Sequence, residues 1–429
     1  MNILSYKDED FLRKLDKLTK REAYSEAVYE SSLKIINEVK ADGDKAICKF
    51  AHKFDNAELN ANCLKVTEDE INEAKSSASQ QVKDAIITSI ENVTSFAKKQ
   101  LPKNWNFSPR HGVYLGEKFS PLDRIGAYIP GGTAPLVSTV IHTISIAKAA
   151  GVKEIVAVTP PGENGKINPE LLYAMHLAGA TEIYRIGGVY SIAALAYGTE
   201  SIPKVQKIVG PGNAYVTAAK KIVYGNVSID MVAGPSEIMI IADDSNNPEF
   251  IAADMLSQIE HGSGNEQAVL ASTSKTLISE VENAILKQTE LLTRKNYIKK
   301  VLPKGVFFIE TRDIKQAIHA ANEYAPEHLE IMCRNAERVS EKINSAGAIF
   351  IGEYTPEPVG DFVAGPSHVL PTGGSAKLFS GITVDTFLRR SSIINYSKDA
   401  LKKEIASIEK FAEMEGLDAH GNSASIRFS

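Results

Sequence analysis

Apolar positions recur first at helical spacing and later in short unbroken runs. Over roughly the first 100 residues the pattern is amphipathic, with Val28, Leu33, Ile36 and Val39 on one stripe and a second such segment from Glu68 to Lys99. This opening predicts helices. From Arg124 the texture changes to short apolar runs separated by helical patterns: IGAYIP, EIVAVTP, EIYRIGG, KIVGPG, EIMIIAD, QAVLAST, VFFIE and GAIFIG. Strands of that length between helices predict βαβ units and parallel sheets. Eight are more than one small domain needs and the signal restarts near Ser236, so two α/β sheets in succession are expected. A closed barrel fits less well, because the helical segments are uneven in length.

After Gly381 come one apolar segment, TFLRRSSIINYS, a helix of roughly 17 residues from Asp399, and a polar tail, EGLDAHGNSASIRFS. No fixed-period repeat or low-complexity linker interrupts the chain.

Composition narrows the partners. The 429 residues, 43% of them hydrophobic, can bury more than one core. Basic and acidic residues number 48 and 53, a net charge of -5 with no long run of either sign, which argues against a nucleic-acid partner. The N-terminus has no apolar stretch of signal-peptide length and nothing later approaches a membrane span, so no membrane association and a cytoplasmic location are expected. Cys48, Cys63 and Cys333 lack the spacing of a disulfide framework or a thiolate metal site.

The chemistry lies in the turns and the tail. Tyr128-Ile-Pro-Gly-Gly132, Gly187-Gly188 and Gly210-Pro-Gly-Asn213 each fall where a strand yields to a helix, the place where open α/β sheets bind ligands. None is G-x-G-x-x-G, so each is equally a simple turn, and only their clustering favours a nucleotide cleft. In LSQIEHGSG, Gln258 and His261 stand three apart, expected on one helix face and able to meet one ion, though an ordinary polar pair has the same spacing. YAPEHLE sets Glu327 beside His328 after a proline and before a strand, an exposed polar loop or a pair of bases for two proton transfers. Asp361 and His368 fall in a Gly- and Pro-rich stretch, EPVGDFVAGPSHVLPTGGSAK, expected to be a long binding loop. The tail adds Glu415, Asp418 and His420. Were Gln258, His261, Asp361 and His420 to converge, their two nitrogens and two oxygens would suit zinc. Spacing alone does not bring them together.

The ordered segments YIPGG, GPGNAYVTAAK, AGPSE, LSQIEHG, YAPEHLE, GDFVAGPSHVLPT, FSGITVDTFLRR and EGLDAHGNSASIR resemble those of the histidinol dehydrogenase family, in that family's order. The resemblance implies oxidation of L-histidinol to L-histidine through a bound aldehyde with two NAD, and a homodimer in which one subunit's C-terminal segment completes the other's site. It implies Gln258, His261, Asp361 and His420 as zinc ligands that also bind substrate, and Glu327 and His328 as catalytic bases in contact with it. Ser236, His368 and Glu415 match further substrate positions, and Tyr128, Tyr190 and Asn213 match cofactor positions. His328 would take the hydroxyl proton, and Glu327 would activate water for the second step.

The implied fold is two incomplete Rossmann-like α/β domains with small helical N- and C-terminal extensions. The expected division is 1–23 as the N-terminal extension, 24–127 with 238–382 as the catalytic domain, 128–237 as an inserted NAD domain, and 383–429 as the C-terminal extension. The chain departs from the family pattern where Gly187-Gly188-Val189-Tyr190 replaces Gly-Gly-Ala-Gln, leaving Tyr190 to stack on the cofactor or donate a hydroxyl. Ser367 replaces a common Asn, and His52, His111, His142, His176 and His319 read as structural or surface residues. Two other functions fit the scaffold: a dehydrogenase of another small polar alcohol, such as a sulfonated diol, and a non-catalytic zinc- or nucleotide-binding module. Retention of His368 and Glu415 counts against the first, and retention of Glu327 and His328 against the second.

Overall fold

The computed structural model describes residues 1–429 except 22, 132–134 and 163. The chain forms two compact units, Met1–Gln100 with Leu122–Phe387, and Leu101–Pro121 with Leu388–Ser429. Residues 101–121, expected in the catalytic domain, thus group with the C-terminal segment.

All eight apolar runs after Arg124 form strands. In the first unit they build two parallel sheets, as expected of an α/β fold. One has the order Glu182–Tyr184, Glu154–Val158, Arg124–Tyr128, Lys207–Val209, Ser228–Ile229. The other runs Asn2–Ser5, Val306–Glu310, Gln267–Ser272, Glu237–Ala242, His328–Ile331, Ala348–Ile351. The unbroken apolar run of Glu237–Ala242 follows from burial on both faces. Ile238 and Ile240 pack with Ile251, Met255 and Ile259 of the helix Pro248–Ile259, while Met239 and Ile241 meet Leu15 and Leu18 of the helix Phe11–Thr19 and Tyr324 of the helix Ile314–Tyr324. The helix Glu26–Asp55 packs Ile36, Val39, Ile47 and Phe50 into the core of the five-stranded sheet.

The opening segment is not purely helical. Asn2–Ser5 adds a parallel edge strand to Val306–Glu310, a backbone pairing that local periodicity does not encode. The strand expected after YAPEHLE is His328–Ile331, which takes in His328 itself.

The second unit is an antiparallel sheet of Trp105–Arg110, Val113–Pro121 and Leu388–Tyr396 with the helices Lys398–Glu415 and Asp418–Ser425. The apolar segment before Asp399 is therefore a strand, paired with residues nearly 300 positions earlier. Trp105 opens a strand and donates its Nε1–H to Glu117 at 3.1 Å. Among the described residues no helix is long and apolar enough to cross a membrane.

Candidate active site

The helix Ile314–Tyr324 stops at Ala325, which adopts a left-handed conformation (φ 49°) ahead of Pro326. Glu327 follows, and His328 begins a strand in parallel register with Glu237–Ala242, His328 opposite Ile238. That register brings both side chains to the backbone of one residue, Glu237, on either side of its Cα. The N–H of Glu237 donates to Glu327 Oε2 at 3.0 Å, and the Glu237 carbonyl lies 3.3 Å from His328 Nδ1. A carbonyl only accepts, so Nδ1 carries a proton and the neutral ring keeps its lone pair on Nε2.

Facing Nε2 is the short helix Glu357–Phe362. Asp361 Oδ1 stands 3.6 Å and Glu357 Oε1 3.9 Å from it. The expected long loop is thus interrupted by a helix, started by Pro356 and Pro358, that places Glu357 and Asp361 one turn apart on one face. Sequence reasoning missed Glu357; the E-x-x-x-D spacing was its signal. Glu357 Oε2 accepts from Ser257 at 3.1 Å, and its amide donates to Glu330 at 2.7 Å. On the far side of Asp361, His368 Nδ1 lies 3.6 Å away, its Nε2 is 3.3 Å from Thr139 Oγ1, and its ring stacks on His142 at 4.7 Å. His142, read from sequence as structural, therefore backs an expected substrate residue. His328, Gly360, Asp361 and His368 line a cavity of about 150 Å³.

Carboxylates crowd this buried space. Burial pushes Glu327 up to about 8, opposed by the neighbouring imidazole. Burial and the adjacent Asp361 push Glu357 up to about 8. Burial alone would depress His328, but the charges of Glu327, Asp361 and Glu357 outweigh it and raise the imidazole to about 10. Burial opposes ionisation of Asp361 too, yet His368 and His328 hold its carboxyl well below the usual range. Glu327 and Glu357 are thus weak acids, Asp361 is a strong one, and His328 is strongly basic.

Gln258 lies in the last turn of Pro248–Ile259, buried, and its Oε1 has no hydrogen-bond partner among the described residues. His261 is not on that helix. The helix ends at Ile259, and Gly262 (φ +92°) turns the chain away. The pair still meets, because His261 Nδ1 lies 2.9 Å from the Gln258 carbonyl and 3.4 Å from its Nε2. Donation to that carbonyl fixes the proton on Nδ1 and leaves Nε2 free to ligate. A buried amide oxygen and an oriented imidazole fit a divalent cation. Ser257, beside Gln258, bonds Glu357, which joins this helix end to the one carrying Asp361. The ligand-capable atoms of His328, Glu357 and Asp361 also lie within 4.8 Å of one another, a grouping that shares only Asp361 with the expected set.

Ser236 immediately precedes Glu237 at the sheet edge, partly exposed. Glu415 ends its helix and His420 lies in the last one, both exposed and both in the second unit.

The glycine turns occupy the C-terminal edge of the five-stranded sheet; Gly132 of the first lies outside the described residues. Tyr128 is buried, and burial pushes its hydroxyl up to about 12. Asn213 caps the helix Ala214–Val223, its Oδ1 accepting from Tyr215 and Val216 at 3.1 Å each. The preceding Gly210 is held by Asp230, which accepts its N–H at 2.8 Å, and by Lys220, which donates to its carbonyl at 2.8 Å; Lys220 and Asp230 form a buried ion pair. Tyr190 is 1% exposed, stacks on Phe50 and donates its hydroxyl to Asp55. Its side chain is engaged inside the core, beneath the Gly187-Gly188 turn, rather than extended from it. A cavity of about 290 Å³ opens beside Gly131, Pro160 and Asn168.

A family model described as Histidinol dehydrogenase matches residues 18–428. Histidinol dehydrogenase from Carboxydothermus hydrogenoformans is 43% identical over 415 residues, 97% of each chain. The Listeria monocytogenes protein of that name is 47% identical over 400 residues, 93% of each. The crystal structure of histidinol dehydrogenase from Elizabethkingia anophelis superposes with a TM-score of 0.93 at 38% identity, covering 100% of this chain and 98% of that one.

Proposed function

From the premise that this chain belongs to the histidinol dehydrogenase family, dehydrogenases of histidine biosynthesis, we propose that it oxidises L-histidinol to L-histidine with two NAD. The observation that carries the reading is the pair Glu327 and His328, held by the N–H and carbonyl of Glu237, with His328 facing Asp361.

In this reading His328, with Nδ1 tied to the Glu237 carbonyl, takes the substrate hydroxyl proton at Nε2. Glu327, raised by burial and so a stronger base once ionised, takes a proton from the water that hydrates the aldehyde. Once its first proton has passed to solvent, His328 accepts the hydrate's proton. Ser236 and His368 orient the substrate. Gln258, His261, Asp361 and His420 would hold zinc, which when bound anchors the substrate's nitrogens and offsets the field of the carboxylates. NAD, the acceptor of both hydrides, would lie over the glycine turns with Tyr128 and Asn213 beneath it. At position 190 the contribution is support of the Gly187-Gly188 turn rather than a direct contact, given the bond to Asp55. Glu415 and His420, exposed on the second unit, would act on a partner's site in a homodimer.

The alternative of another polar alcohol, such as a sulfonated diol, drew on Tyr190. With that side chain engaged by Asp55, no observation here favours it.

The test is NADH formation by zinc-loaded protein given L-histidinol and NAD, with histidine quantified and a chelated control. Two NADH per histidine, lost on chelation, is the expected result. Turnover of a sulfonated diol in place of histidinol would overturn the substrate assignment.

A further inference from the structure

Both proposed bases depend on the backbone of Glu237, so whatever fixes that residue belongs to the site. The Glu237 side chain is buried, and a buried carboxylate needs a partner. Its Oε2 lies 3.1 Å from Nε of Arg21, and its Oε1 accepts the Gly373 N–H at 2.9 Å. Arg21 lies just beyond the helix Phe11–Thr19, in the opening segment that carries no assigned chemistry.

The same guanidinium makes a second connection. It sits 3.7 Å above the centroid of the Tyr324 ring, and its Nη2 donates to the Tyr324 carbonyl at 2.6 Å. Tyr324 is the last residue of the helix that ends just before Glu327. A free helix-terminal carbonyl is a natural acceptor for such a donor. Arg21 therefore ties together the two segments that meet at the bases: the start of Glu237–Ala242 and the turn into Glu327. Leu15 and Leu18 seat its helix against Met239, Ile241 and Tyr324, so core packing sets where the guanidinium falls.

We propose that Arg21 is a positioning residue of the active site: by pairing with Glu237 and binding the end of the Tyr324 helix, the opening segment fixes the Glu237 backbone, whose N–H and carbonyl orient Glu327 and His328. The inference rests on the catalytic roles assigned above. It needs a planar fork rather than a point charge, because one nitrogen pairs with the Glu237 carboxylate, another donates to the Tyr324 carbonyl, and the plane stacks on a ring.

The test compares Arg21→Met, Arg21→Lys, Glu237→Gln and the double variant Arg21→Met/Glu237→Gln with the wild-type holoenzyme. Arg21→Met is expected to lower kcat about 100-fold, the scale of a small misplacement of reacting groups, with KM for histidinol and zinc content unchanged. Arg21→Lys should recover part of the loss. Adding Glu237→Gln to Arg21→Met should also recover part, since no buried carboxylate is then left unpaired. Wild-type kcat per folded molecule in Arg21→Met, or an effect on KM alone, would overturn the proposal.

A second measurement stands apart from turnover. In 13C-histidine-labelled protein the His328 ring signal, assigned by its loss in His328→Asn, should move in Arg21→Met; an unmoved signal sinks the inference. Absence of wild-type turnover with histidinol would instead count against the assigned reaction, and the ring signal would still decide the role of Arg21.

Discussion

His328 Nε2 faces Asp361 Oδ1 at 3.6 Å, so a proposed base and a proposed metal ligand share one wall of the same cavity. The catalytic pair lies at the N-terminal edge of its sheet, whereas the glycine turns lie at the C-terminal edge of theirs. Open α/β sheets usually bind ligands at C-terminal edges, and only the glycine turns follow that rule.

His328→Asn should suppress both oxidations and Glu327→Gln mainly the oxidation of the aldehyde, each by about 10²–10⁴-fold, the usual worth of a positioned base. Steady-state rates with histidinol and with histidinal separate the two. Equal and mild losses from both variants would reverse the role assignments.

Because burial raises Glu327 to about 8, and a base works only when deprotonated, aldehyde oxidation should show a limb rising through about 8, apart from the higher limb set by His328, which the surrounding carboxylates raise to about 10. Glu327 is faced by His328, Glu237 and Asp361: the imidazole and the Glu237 N–H pull the value down, and the charges of Glu237 and Asp361 push it up. The lower limb should vanish in Glu327→Gln. A limb in the ordinary carboxylate range would contradict the burial argument.

Gly210→Ala should damage the cofactor edge. Gly210 has φ +110°, and an added Cβ would stand 2.2 Å from the Tyr128 carbonyl oxygen. The left-handed backbone alone costs about 1–3 kcal/mol, and the clash adds to it. A lower melting temperature with a raised KM for NAD is expected; wild-type values for both would remove the turn from the cofactor site.

Lys220→Met leaves Asp230 charged and buried, with side-chain exposures of 3% and 1% in the intact pair. Breaking such a pair costs about 3–5 kcal/mol, whereas replacing both partners costs less. Urea unfolding of Lys220→Met and of Lys220→Met/Asp230→Asn measures the difference. An equal loss in both would mean the pair's charge balance is unimportant.

His261→Ala and His420→Ala should each lower zinc content per chain, read by elemental analysis of dialysed protein. Full occupancy after either change would contradict a ligand role for that residue.

The chain's local pattern determined a great deal. Eight apolar runs after Arg124 announced eight strands, since a strand buried on both faces must be apolar throughout. Side-by-side Glu327 and His328 ahead of a strand were visible in YAPEHLE, and the order of the signature segments carried the family. Tertiary structure alone decided the rest, because it depends on pairings between residues far apart in sequence. The edge strand Asn2–Ser5 and the strand Leu388–Tyr396 exist through partners about 300 and 270 positions away. Glu357 joined the site because Pro356 started a helix inside an apparent loop, and Tyr190 turned inward because Asp55 ends a neighbouring helix. Arg21 shows the limit most sharply: it lies in an ordinary polar stretch, and only the packing of its helix on the sheet carries it to Glu237.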